Sequence, residues 1–170
     1  LVTMAGDKTK FPIMLCNGNV TESGDGPDGK HYVVYDNPTR MPCYLFALIA
    51  GDLYVLRDTY TTMSGRVVAL AIYSEKKSNI DLGKVVFAME SLKHAMEFDE
   101  RVFGREYDLD TLAIVATEYF NMRAMENKGL NIFNEKYVLA SPEMTTYEAY
   151  VLIERVVAHE YLHNWTGNRI

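Results

Sequence analysis

The sequence predicts an α+β fold, and three observations lead there. The first third alternates short β-type runs with Gly/Asp/Pro turns. Residues 85–104 carry apolar side chains at three- and four-residue steps. A capped, apolar helical segment lies near the C-terminal end.

In order along the chain, Phe11 to Leu15 is a short apolar run, followed by a turn-rich connection through Asn17-Gly18, Asp25-Gly26-Pro27 and Asp28-Gly29. His31 to Tyr35 resumes β-type residues, Asn37-Pro38 turns the chain, and Tyr44 to Ala50 is a strand-sized apolar run ended by Gly51-Asp52. Leu53 to Thr62 and Val67 to Tyr73 read as paired strands across Ser64-Gly65. Asp81 is a fair N-cap for a helix whose face carries Val85, Val86, Met89, Leu92, Met96 and Val102 and which Gly104 closes. Leu112 to Ala116 is a strand, Thr117 to Asn121 a loop, and Met122 to Phe133 a second extended segment. Thr145-x-x-Glu148 reads as a capping box for the last helix, with Ala149, Leu152, Ile153, Val156 and Val157 as its buried face. The change from all-strand to mixed pattern places a domain boundary at 56/57, although no flexible linker marks it.

Composition limits the functions available. A 170-residue chain that is 48% hydrophobic and 24% charged is an ordinary globular sequence, long enough for one good core or parts of two. A formal charge of −6 with no basic stripe argues against nucleic acid or an anionic membrane surface as a partner. No apolar run reaches membrane-spanning length. Cys16 and Cys43 are too few for a disulfide scaffold or a thiolate metal site. They are expected to be small buried thiols in a reducing, cytoplasmic compartment. His31 and His94 have no partner at ligand spacing and are expected at the surface or half-buried. Leu1 leads at once into structured-looking sequence and Ile170 follows close on the last helix, so we expect an interior piece of a longer protein.

Chemistry concentrates in Val156-Val157-Ala158-His159-Glu160-Tyr161-Leu162-His163. On a helix, His159 and His163 project from one face a turn apart, the spacing at which two neutral imidazoles reach one Zn²⁺. Glu160 sits beside the first of them, where a carboxylate can take a proton from water. Arg155, one turn before His159, is expected to place a cation over the same cleft. The plainer alternatives are a buried helix with two satisfied histidines and a surface salt-bridge arginine.

A second segment, Phe120-Asn121-Met122-Arg123-Ala124-Met125-Glu126-Asn127-Lys128-Gly129, precedes that helix. It resembles the substrate-recognition strand of the M1 family of zinc aminopeptidases, usually written Gly-Ala-Met-Glu-Asn. Together with Ile153-Glu154-Arg155 and the His159 to Arg169 stretch it gives two independent motifs in the family's order. The resemblance implies the end of an N-terminal β-domain, residues 1–56, followed by the first part of a thermolysin-like (gluzincin) catalytic domain, residues 57–170. It implies one zinc held by His159 and His163, with Glu160 as general base. Glu126 would bind the free α-amino group of a peptide substrate, the backbone at Arg123 and Ala124 would pair with the substrate main chain, and Met122 would line the pocket for the first side chain. It also implies a monomeric full-length protein acting on peptides with a free N-terminus. Lys128 is expected to be structural or surface.

The sequence departs from the family pattern at Arg123, where the family has Gly. An arginine there is expected to block close approach of a ligand or to pair with Glu126, unless it points into solvent. The family's third zinc ligand, a Glu on a later helix, and a catalytic Tyr would lie past Ile170, and a second amine-binding carboxylate would precede Leu1. The isolated chain is therefore expected to bind zinc weakly and to lack peptidase activity. Two further readings remain: another gluzincin, either an endopeptidase or a bifunctional epoxide hydrolase–aminopeptidase, and a non-catalytic relative that binds peptides through its edge strand.

Overall fold

A five-stranded mixed sheet organises the chain in a computed structural model that describes residues 1–77 and 82–170. Its order is β6-β7-β8-β10-β9, formed by β6 (Leu53–Thr61), β7 (Val67–Glu75), β8 (Thr111–Thr117), β10 (Leu130–Asn134) and β9 (Ala124–Met125). β7, β8 and β10 run parallel, and the two flanking strands run antiparallel to their neighbours. The parallel β7–β8 pair needs a long crossover, which α1 (Val86–Phe103) supplies. α2 (Tyr147–Leu162) lies beside α1.

Side chains alternate between the two faces of this sheet, as the period of two requires. Val68, Leu70 and Ile72 of β7, Leu112 and Ile114 of β8, and Phe133 of β10 pack against Met89, Leu92, Met96, Ile153 and Val157 of the helices. The opposite residues, Tyr73, Val115 and Leu130, meet Leu15 and Ala47. Those two belong to a layer built around the pair β2 (Ile13–Cys16) and β5 (Leu48–Gly51). A separate three-stranded sheet, β1-β4-β3, comprises β1 (Val2–Asp7), β4 (Lys30–Asp36) and β3 (Asn19–Asp25).

The α+β class is as the sequence predicts, and several details differ. The cap of α2 is Thr146, whose side chain accepts from Ala149 N–H; Thr145 instead accepts from Ser141 N–H. The segment Met122 to Phe133 is two strands and a turn, because Gly129 at φ 77° reverses the chain between them. Tyr44 to Ala50 begins in a 3-10 turn, Cys43–Leu45, and becomes a strand only at Leu48. Cys43 is exposed there, whereas Cys16 is buried. Asp81, expected as an N-cap, lies outside the described residues. Gly104 closes α1 in the left-handed conformation, but Val86 and Val102 of the expected stripe face solvent. The boundary expected at 56/57 falls inside β6, which pairs with β7 without a break.

Asp99 occupies a core position on α1 that sequence periodicity does not flag. Burial pushes its carboxyl up to about 6, with Arg105 opposing and Glu100 adding to the rise. Its Oδ2 has no hydrogen-bond partner. A raised acid favours the protonated fold, so stability present below the unfolded value near 4 is lost as pH climbs through about 6. Asp99→Asn is expected to stabilise the protein by about 2–3 kcal/mol at pH 8 and to make little difference at pH 4. Urea unfolding at the two pH values checks this, and equal gains at both would contradict it.

Candidate active site

Helix periodicity carries His159 and His163 to the same side of α2, with His163 at the helix C-cap. Their Nε2 atoms are 3.2 Å apart and the rings stand at 89° to one another. Two nitrogens each about 2.0–2.1 Å from one tetrahedral zinc would be separated by roughly 3.3–3.4 Å, so this pair suits two corners of such a site. The outer nitrogen of His163 is accounted for as well. Its Nδ1–H donates to the Thr166 carbonyl at 2.8 Å, which leaves Nε2 as a lone-pair donor. Thr166 can turn back this way because Gly167 follows at φ 128°, and a Cβ on Gly167 would come within 3.0 Å of that same Nδ1. No group of three or more His, Cys, Asp or Glu side chains able to hold a metal occurs among the described residues.

Glu160 is only 6% exposed. Burial first and the Glu126 charge second raise its carboxyl to about 7, against a downward pull from His163. A carboxylate with that affinity for a proton suits general-base work near neutral pH. Its electrostatic link to Glu126 also shows that α2 and the end of β9 bring two acidic groups into one neighbourhood.

Glu126 follows directly on β9, the outermost strand of the sheet. Phe133 and Ile132 pair with Ala124 and Met125, and Asn134 N–H donates to the Arg123 carbonyl at 3.0 Å. The other edge of β9 pairs with no strand among the described residues. The loop leading into it is pinned by Asn134, whose Nδ2 donates to the Phe120 carbonyl at 2.9 Å. A cleft of about 340 Å³ runs between this edge and α2, lined by Met122, Arg123, Ala124, Arg155, His159 and Glu160 among others. Glu126 is half-buried and is not among the cleft's lining residues.

Arg123 is exposed and forms no ion pair with Glu126 among the described residues, so the expected pairing is absent. Its φ is not positive; Asp28 is the one non-glycine described with a positive φ. The backbone at this position therefore does not demand glycine, and any effect of Arg123 must come from its side chain in the cleft.

Sequence reasoning missed the group that braces the site. Of the two roles expected for Lys128, structural or surface, the structure shows the first: its side chain has 0% exposure and bonds Asp108 at 2.5 Å and Asn164 at 2.6 Å. Asn168 Nδ2 donates to the Glu126 carbonyl at 2.9 Å. A polar Asn-Trp-Thr-Gly-Asn tail after the second histidine was the available signal, since such a run seldom packs unless its amides have partners.

Residues 87–170 match the peptidase family M1 domain. The chain is 56% identical over 164 residues to aminopeptidase N of Escherichia coli, covering 96% of this chain and 18% of that protein. It is 53% identical over 170 residues to aminopeptidase N of Haemophilus influenzae, covering 100% and 19%. Among solved structures, Legionella pneumophila aminopeptidase A in complex with aspartic acid superposes with a TM-score of 0.90 at 36% identity, over 98% of this chain and 19% of that one. The chain thus spans about a fifth of the length of these relatives.

Proposed function

Because the chain belongs to peptidase family M1, we propose that it forms part of a zinc-dependent aminopeptidase that releases N-terminal residues from peptides. The observation that carries this reading is the pair of Nε2 atoms 3.2 Å apart with the buried Glu160 beside them. We further propose that residues 1–56 end a β-domain and residues 57–170 begin a gluzincin catalytic domain, with β6 spanning the junction. The full-length protein is proposed to be a cytoplasmic monomer. The exposed thiol of Cys43 suits a reducing compartment. Among the described residues no helix is long and apolar enough to cross a membrane.

His159 and His163 would hold the zinc in this reading, and the metal when bound would supply Lewis-acid polarisation of the scissile carbonyl. Glu160 takes the proton of the attacking water and passes it to the departing amine. Glu126 holds the substrate α-ammonium at a set distance from the imidazoles, which selects the first peptide bond. The open edge at Arg123 and Ala124 pairs with the substrate backbone. Met122, 61% exposed, lines the pocket for the first side chain, where a thioether adapts to varied shapes, and Arg155 faces the same cleft.

Two experiments test this. In the full-length polypeptide, one zinc per chain and hydrolysis of free but not N-acetylated peptides are expected. Cleavage of blocked peptides would indicate an endopeptidase, and peptide binding without zinc a binding module. The isolated 170-residue chain offers two nitrogen ligands and is expected to hold zinc at least tenfold more weakly, with no hydrolysis of an aminoacyl chromogenic substrate. Tight stoichiometric zinc in that piece would refute the two-ligand reading. Arg123→Gly in the full-length enzyme is expected to raise kcat/KM for neutral substrates about fivefold, or about 1 kcal/mol. An unchanged value would mean that the side chain swings clear of the bound peptide.

A further inference from the structure

Lys128 stands in a β-turn between β9 and β10, closed by Leu130 N–H on the Asn127 carbonyl at 2.9 Å. Its ammonium is withdrawn from solvent and held by Asp108 Oδ1 and Asn164 Oδ1. The Tyr107 ring centroid lies 5.8 Å away. Asn164 Nδ2 returns to Asp108 at 3.2 Å, and Arg169 bonds the other Asp108 oxygen. Three segments meet at this one charge: the 107–108 loop, the recognition turn, and the tail that follows the second histidine.

A buried ion pair is a weak source of stability, since apolar residues of the same volume often do as well. What directed bonds add is register. Lys128 is two residues from Glu126, and Asn164 is next to His163, so their bond couples the amine-binding carboxylate to the metal-binding imidazole. Asn168 makes the same connection from the other side through the Glu126 carbonyl. The outer face of the turn is fixed too, because Asn17 Nδ2 donates to the Lys128 carbonyl at 2.8 Å.

We propose that Lys128 is a positioning residue which, with Asn164 and Asn168, sets the spacing between Glu126 and the two imidazoles and thereby confines cleavage to the first peptide bond. This rests on the aminopeptidase reading above. Apolar packing in its place would hold the turn but allow Glu126 to drift along the strand direction, and an ammonium would then be bound out of register with the reacting carbonyl.

The test compares two inhibitors of the full-length zinc enzyme, an amino-acid hydroxamate and its desamino counterpart. The ratio of their inhibition constants measures what the amine anchor contributes. Lys128→Met/Asp108→Asn removes both buried charges together, and Asn168→Ala breaks only the bond to Glu126. Both variants are expected to shrink the amine advantage about tenfold, with zinc content and desamino inhibition unchanged. A parallel loss for both inhibitors, or no loss for either, overturns the proposal and leaves Lys128 a structural anchor. If the double variant does not fold, Asn168→Ala decides alone. An unsubstituted enzyme with no zinc and no amine advantage overturns the aminopeptidase reading itself, and the positioning role with it.

Discussion

Glu160→Gln in the zinc-loaded full-length enzyme is expected to lower kcat by about 10²–10⁴-fold, the usual contribution of a positioned general base. The substitution keeps shape and removes only the ability to take a proton. Burial and the Glu126 charge push the carboxyl up to about 7, so a neutral amide of the same shape is tolerated there. Stability should hold or rise slightly, because like-charge repulsion with Glu126 disappears. Zinc content should be unchanged. Steady-state kinetics with metal analysis on the same sample checks all three. A kcat within tenfold of the unsubstituted enzyme would remove Glu160 from the proton-transfer role.

Glu126→Gln is expected to act differently. A carboxylate–ammonium contact with charge-assisted hydrogen bonds is worth about 1.5–3 kcal/mol, or roughly 10–150-fold. The loss should fall on kcat/KM for peptides with a free amine, through KM as well as kcat, since both binding and register depend on it. Titrating rate against substrate for a free tripeptide and its N-acetyl form gives the contrast. If the preference for the free amine survives in the variant, the amine is held elsewhere.

The candidate site was legible where its chemistry follows helix spacing. His159, Glu160 and His163 follow from i, i+1 and i+4 on an apolar helix, and the structure brings the two imidazoles together as that spacing requires. The paired strands β6 and β7 and the glycine stop of α1 were legible for the same local reason. What stayed hidden depends on partners far away in sequence. Lys128 looks like any loop lysine until Asp108 and Asn164, 20 and 36 residues distant, surround it. Asp99 carries no sequence signal of burial, yet it is only 3% exposed in the fold. The cap of α2 was misplaced by one residue because Thr145 and Thr146 are both competent, and only the turn at Ser141 shows which is engaged. Arg123 could be identified as unusual, but its lack of a partner at Glu126 is a matter of side-chain direction that composition does not encode.

The bond from Asn17 to Lys128 joins residues 111 apart in the chain, and the bond from Lys128 to Asn164 adds another 36. Contacts of that separation form late, because long loops must close before any reward is collected. A chain leaving the ribosome has its first strands well before residue 164 exists. The turn that carries Glu126 therefore takes its final place only after the histidine-bearing segment has emerged and docked.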